Sequence, residues 1–317
     1  MNLEEILIKI LLIVVIAIAS VVIGLLYKGI DRKLAARMQA RIGPPVVQPF
    51  WDVGKLMIKE NIVPKNAVAW LFNFVPLLTL AVTISILFYL PFGSIEPVLS
   101  GHGDLILILY LLTIPALGMV IGGFSSGSPY ATVGAQREMV TMMSYEFPLA
   151  IAIIAIAWKL NTFSLLAISS TPVWSVVGPP GFLGFLLIAL VLLAVMPAEL
   201  SRIPFDAPEA ETEIAEGVLA EYSGRNLAMF YLADAVKTIV VASLFVAIFL
   251  PYNISSLVAL NIIFFLIKIF AVIFVAVTLI RIGAARLKID QITYVYWFPL
   301  TAIGFIGLAL IWLETIL

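Results

Sequence analysis

The sequence predicts an all-α, polytopic membrane protein with about eight transmembrane helices. Three observations carry that expectation. Of 317 residues, 63% are hydrophobic and 12% charged, against about a quarter charged in an ordinary soluble domain. The apolar residues gather into eight stretches, each near the length of about 20 residues that a helix needs to cross a bilayer. The basic residues between them concentrate in alternate connections, the asymmetry that sets membrane orientation. We therefore expect one transmembrane domain over 1–317, with the lipid bilayer as its solvent. Both termini should lie outside, and structured cytoplasmic loops should join the first to the second span and the fifth to the sixth.

The spans fall at about 4–27, 69–90, 104–124, 140–158, 182–198, 228–250, 255–280 and 295–315. Pro148 and Pro197 sit near the ends of two of them, which membrane helices tolerate. The chain starts acidic, Met1-Asn2-Leu3-Glu4-Glu5, and then runs apolar to Leu26. A cleaved secretory signal starts basic and has a shorter apolar core, so this reads as a retained helix. Loop 1–2 holds Lys28, Arg32, Lys33, Arg37, Arg41, Lys55, Lys59 and Lys65; loops 3–4, 5–6 and 7–8 hold Arg137, then Arg202 and Arg225, then Arg281, Arg286 and Lys288. Of the opposite loops, only the one between the fourth and fifth spans has a basic residue, Lys159.

Composition also excludes. There is no Cys and one His, too little to ligate a haem, an iron–sulfur cluster or a conventional zinc ion. No cofactor is expected in this chain, and redox chemistry must sit on another subunit. A formal net charge of -1 argues against a nucleic-acid partner. His102, in Ser100-Gly101-His102-Gly103-Asp104, reads as an incidental residue of an outer loop.

Loop 1–2 is long and patterned. Lys33, Arg37 and Arg41 recur at i, i+4 and i+8, which predicts one basic helical stripe. Gly43-Pro44-Pro45 ends it. Gln48 to Glu60 reads as an amphipathic helix in the interface, with Phe50, Val53 and Met57 on one side and Asp52, Lys55 and Lys59 on another. Positive-inside anchoring accounts for such charge without any further role.

Loop 5–6 has the opposite sign. Eight of the nineteen acids lie between Glu199 and Asp234: these two, Asp206, Glu209, Glu211, Glu213, Glu216 and Glu221. Asp206 with Glu209 three residues on resembles a capping box, Pro208 suits a first turn and Gly217 a helix end. That helix would place Glu209, Glu213 and Glu216 on one face and Glu211 elsewhere. Its carboxylates could simply be solvated at a helix start, or form an acidic funnel toward carboxylates at membrane depth.

Four ionisable residues fall inside spans: Glu146, Asp234, Lys237 and Lys268. Charge at membrane depth costs about 2.5–3.5 kcal/mol or more and is usually paired or lines a polar path. Asp234 and Lys237 stand at i, i+3 and can pair on one face, either as structural neutralisation or as a protonatable couple. Glu146 has no cation at matching spacing on its own helix, so it is partnered from another helix or is itself a protonatable site.

Three segments resemble one family. They are Asp31-Arg32-Lys33…Arg37-Met38-Gln39-Ala40-Arg41-Ile42-Gly43-Pro44-Pro45 with Gln48-Pro49 and Asp52 to Glu60; Gln136-Arg137-Glu138…Ser144-Tyr145-Glu146; and Arg202-Ile203-Pro204-Phe205-Asp206…Glu221-Tyr222-Ser223-Gly224. Together they resemble the ND-one family of respiratory complex I, which also contains membrane-anchor subunits of group-4 energy-converting nickel–iron hydrogenases and related sulfur-reducing complexes. The resemblance covers the whole chain. It implies an eight-helix subunit in a prokaryotic plasma membrane that joins a peripheral electron-transfer arm to an ion-pumping membrane arm. Loops 1–2 and 5–6 would dock peripheral hydrogenase-like and iron–sulfur subunits, making Arg32, Arg37, Arg41, Lys55, Lys59, Arg202, Asp206, Glu209 and Glu221 interface residues. Glu146, Glu211, Glu213, Glu216 and Asp234, with Lys237, would match or neighbour the family's proton path. Iron–sulfur clusters and a nickel–iron centre would sit in partner subunits, with antiporter-like subunits alongside in the membrane.

The sequence departs from the complex I pattern in one place. The Gly-Pro-Asn-x-x-Gly-Pro insertion that helps shape the quinone chamber is missing, because Gly43-Pro44-Pro45 runs almost directly into Gln48-Pro49. This favours the hydrogenase-type or sulfur-reducing branch. The expected function is non-redox coupling of electron transfer to H⁺ or Na⁺ translocation. The alternatives are a quinone-chamber subunit of complex I and a stand-alone secondary ion transporter.

Overall fold

A computed structural model describes residues 3–316, with side chains from Lys9 onward except those of Glu211 and Thr212. Among the described residues the chain is almost entirely helical, and eight helices are long and apolar enough to cross a membrane. In chain order the helices are α1 (Leu3–Met38), α2 (Gln48–Ile58), α3 (Ala69–Leu87), α4 (Asp104–Ser125), α5 (Pro129–Leu160), α6 (Leu165–Ser170), α7 (Pro179–Glu199), α8 (Glu211–Ile214), α9 (Gly224–Phe249), α10 (Val258–Gly283) and α11 (Ile289–Ile316). All but α2, α6 and α8 are of spanning length. The last two long helices each contain a π-helical turn, at Phe274–Thr278 and Tyr296–Leu300.

The eight expected spans are all present, but several run further than hydropathy indicates. The first is one helix of 36 residues, about 54 Å at 1.5 Å per residue, so it carries its charged turns beyond a hydrocarbon layer of about 30 Å. Lys33 and Arg37 lie on it, whereas Arg41 follows its end, past the left-handed Ala40 at φ 56°. The basic stripe therefore has two helical members, not three. The fourth span begins at Pro129 rather than near residue 140. Hydropathy stops at Arg137 and Glu138, but Glu138 is buried and Arg137 is paired, so the helix continues through both.

The amphipathic helix forms as expected, with Pro49 in its first turn. Phe50 and Val53 pack on Leu25, Leu232 and Ala235, while Met57 on the same stripe is exposed. The stripe outruns the surface it packs on.

Loop 5–6 does not form the expected helix. It breaks into a 3₁₀ turn at Ala207–Glu209, the four-residue α8, two left-handed residues, Ala215 and Glu216, and a second turn at Gly217–Leu219. Glu209, Glu213 and Glu216 therefore share no helical face. Asp206 makes no side-chain cap; its carboxylate meets Arg286 at 2.9 Å. The loop folds back so tightly that a Cβ on Gly217, at φ +52°, would stand 2.0 Å from the Pro208 carbonyl oxygen, which requires glycine there.

The hub is α9, buried along almost its whole length. It packs against α1, α2, α3, α7 and α10, while α11 lies along α5 and α7. At one end of the bundle loops 1–2, 3–4, 5–6 and 7–8 meet: Val68 N–H bonds the Ser125 carbonyl, Ile62 N–H the Ser223 hydroxyl and Leu287 N–H the Pro204 carbonyl. This is the charged end. At the other end Trp174 donates to the Phe249 carbonyl at 2.7 Å. Lys268 reaches the carbonyls of Leu250 and Tyr252 there, at 2.6 and 2.9 Å, so it serves the terminus of α9 rather than standing isolated.

Candidate functional site: a buried carboxylate–cation chamber

Three long helices bring charge together just inside the charged end. On α9, Asp234 and Lys237 lie less than a turn apart, yet they are not paired with each other. Asp234 Oδ2 is held by Lys28 of α1 at 2.5 Å and by Arg202 of loop 5–6 at 2.7 Å. Lys237 extends instead to Glu199, the last residue of α7, at 2.7 Å. Lys237 is 8% exposed and Glu199 4%. The expected Asp234–Lys237 pair is thus replaced by two separate bridges, because each side chain finds an opposite charge on another helix.

Glu199 also accepts a hydrogen bond from the Tyr145 hydroxyl. Glu138, two turns before Tyr145 on α5, is 3% exposed and its Oε2 has no protein partner. Glu146 is half-buried, with Oε1 also unpartnered, in electrostatic reach of Glu199 and Lys237. A cavity of about 50 Å³ connects these groups, lined by Thr79, Glu138, Glu199, Glu209, Asp234 and Lys237 among others. It is large enough for water, which needs about 10–15 Å³ and two to four polar partners, and polar groups on several sides supply those partners.

Glu209, expected at the docking surface, lies at this cavity beside Arg202 and Asp234. Burial pushes its carboxyl up to about 7; the neighbouring Asp234 adds to that, and Arg202 and Lys28 oppose it. Glu209 therefore changes charge near neutrality at the loop-side mouth of the chamber.

The other residues singled out in the sequence are spread across the charged end. Arg32 meets Asp52 at 3.1 Å, and Gln48 also bonds that carboxylate. Arg37, Arg41, Lys55 and Lys59 are exposed. Glu213 is exposed and bridges to Arg137 at 2.6 Å. Glu221 is half-buried at the approach to α9. Glu216 lines a second, larger cavity of about 250 Å³ between α1, α2 and α9, with Leu25, Lys28, Arg32, Val53, Leu56 and Tyr231. The Glu211 side chain lies outside the described residues. Among the described residues no group of three or more His, Asp or Glu is placed to hold a metal ion.

Sequence reasoning did not single out Lys28, Glu138, Tyr145 or Glu199 as chamber residues. One signal was available. Ser128-Pro129 is a helix-start pattern, and starting the fourth span there puts Glu138 and Tyr145 seven residues apart, on one face of the same helix. For Glu199, assigned to a loop, only the tertiary pairing with Lys237 reveals its depth.

The fold and its site define a multi-pass helical membrane protein built around a buried ion-pair network. The NADH dehydrogenase family matches residues 8–312, and the chain belongs to that family. It is similar to a membrane component of the NADH-quinone oxidoreductase of Brevibacillus brevis, 33% identical over 314 residues that cover 94% of this chain and 91% of the relative. It is as similar to Hydrogenase-4 component C of Escherichia coli strain K12, 33% identical over 312 residues covering 94% and 95%. Among solved structures it resembles a chain of the membrane-bound sulfane sulfur reductase, an archaeal respiratory membrane complex. That match has a TM-score of 0.87 and 34% identity, covering 96% of this chain and 99% of the other.

Proposed function

We propose that the chain is the non-redox membrane subunit of a hydrogenase-type or sulfur-reducing respiratory complex, coupling electron transfer in partner subunits to ion translocation. The observation that carries this reading is the chamber. Carboxylates and cations from α1, α5, α7, α9 and loop 5–6 converge on a water-sized cavity. Such groups are costly at membrane depth unless they serve a charge pathway. The likeness to a hydrogenase component and to a sulfur reductase chain supports the type of complex. In this reading the charged end faces the cytoplasm of a prokaryotic cell, and the exposed Arg37, Arg41, Lys55 and Lys59 meet peripheral iron–sulfur subunits, one of them carrying a nickel–iron centre in the hydrogenase case. Antiporter-like subunits receive the ions laterally.

Coupling then needs only local electrostatics. A redox change in the docked subunits alters the field or the geometry at loop 5–6, where Arg202 and Glu209 contact the chamber. A shift of Arg202 away from Asp234, or a protonation of Glu209, changes the charge balance felt by Glu199, Glu138 and Glu146. The chain makes and breaks no covalent bond.

One observation favours a second reading. The 250 Å³ cavity between α1, α2 and α9 joins apolar walls to polar groups at the mouth, as a quinone headgroup site would. Metal and quinone analysis of the native complex, purified in mild detergent, decides. Nickel with iron and no quinone supports the hydrogenase-type assembly, and iron with neither nickel nor quinone supports the sulfur-reducing one. Iron with bound quinone establishes the second reading. A chain that purifies without metal-bearing partners contradicts both.

A further inference from the structure

On the side of Glu199 away from the charged end lies a separate cavity of about 30 Å³, walled by Leu112, Leu149, Leu192, Val241, Leu244 and Phe245, with Glu199 at its rim. From it we infer that α4, α5, α7 and α9 form a dry gate, closing the chamber toward the far end of the bundle and making ion movement one-sided and lateral. The inference rests on the reading that the chamber carries ions.

Size and chemistry disagree in this cavity, and the disagreement is informative. Its volume exceeds the about 10–15 Å³ that one water requires, but a stable buried water also needs two to four polar partners. Its lining offers a single polar side chain, Glu199, which is already bound to Lys237 and Tyr145. The cavity is therefore dewetted, as hydrophobic constrictions in channels are.

The dry zone is also thick enough to matter. Leu192 lies seven residues from Glu199 on α7, and Leu244 seven residues from Lys237 on α9, each about 10 Å at 1.5 Å per residue. An ion crossing that distance would shed its partners with nothing to replace them. Beyond it a polar cavity of about 60 Å³ opens near Lys268, Ser169 and Asn253. The two polar regions are thus separated by an apolar layer that is hollow rather than solid. A hollow layer is sensitive: one polar wall residue supplies the missing partners and lets water enter.

The test uses the whole complex in sealed proteoliposomes, without electron donor, under an imposed pH gradient read by a fluorescent pH probe. Leu244→Ser and Val241→Ser should raise passive proton leak at least about tenfold over the parent. The volume-conserving Leu244→Met and Val241→Ile keep it at the parent level, and Glu199→Gln added to the serine variants suppresses it. Assembly is checked by co-purification of the partner subunits. Two single sites on one helix keep the test valid if one variant fails to assemble. No leak from an assembled serine variant overturns the gate; if Glu199→Gln still lowers redox-driven pumping, the chamber reading survives that loss. A leak that persists with Glu199→Gln places the water path elsewhere and also overturns the gate.

Discussion

Lys237 turns its ammonium away from Asp234 on its own helix and closes on Glu199 of α7 at 2.7 Å. Both partners are buried, so the bridge stitches the hub helix to α7 where helix packing alone would leave two uncompensated charges. Removing one partner of such a pair costs about 3–5 kcal/mol, whereas replacing both by apolar or neutral groups is often near neutral. Lys237→Met and Glu199→Gln should each lower the thermal stability of the purified complex, and the double variant should be more stable than Lys237→Met alone. Additive losses would show that the bridge is not coupled energetically.

Asp234 carries two cations at once, Lys28 and Arg202. Asp234→Asn leaves both facing a neutral amide, and charge-assisted bonds contribute about 1.5–3 kcal/mol each. Coupled turnover in Asp234→Asn should fall by about tenfold or more, while Asp234→Glu, which keeps the charge, should retain most of it. Redox-driven pumping of the two variants, compared at equal assembly, checks the prediction.

Glu209 gives the loop a pH signature. Its folded value of about 7 stands above the ordinary 4.5, so the folded loop holds the proton more tightly than the unfolded chain does. Its contribution to stability is therefore fully present below about pH 4.5 and is lost as pH rises through about 7. Hydrogen-exchange protection of loop 5–6 should decline across that window and level off above it. In Glu209→Gln the decline should be absent. A variant whose profile matches the parent would assign the titration to another group.

The far end of the bundle holds a third bridge, Lys159 to Glu314 at 2.7 Å, with Gly178 N–H donating to the same carboxylate. A Cβ on Gly181 would lie 1.5 Å from Glu314 Oε2. Gly181→Ala should therefore displace Glu314 and destabilise the complex by about 1–3 kcal/mol. Its ion-per-electron ratio should be unchanged, since the chamber lies at the opposite end. A calorimetric scan alongside a pumping assay separates the two effects.

What was legible in the sequence followed from local periodicity and composition. Eight spans, the amphipathic helix at Gln48, and Asp234 and Lys237 as charges inside a helix all rest on patterns within a few turns of chain. What was not legible depended on partners far away. Lys28 looked like an anchor at the end of an apolar run, and Glu199 like the first residue of a loop. Their depth is set by Asp234 and Lys237, 206 and 38 residues further along the chain. Loop 5–6 shows the same limit from the other side: Asp206 has the residue type and spacing of a helix cap, but Arg286 takes its carboxylate, and the local preference loses to the tertiary one.

If redox work passes through the Glu199 chamber, the number of ions pumped per electron must depend on that carboxylate. The most direct test measures this ratio for the whole complex in proteoliposomes, parent against Glu199→Gln, with assembly verified. We predict that Glu199→Gln lowers the ratio by at least about tenfold while electron transfer among the peripheral clusters persists. An unchanged ratio in a fully assembled variant would contradict the account.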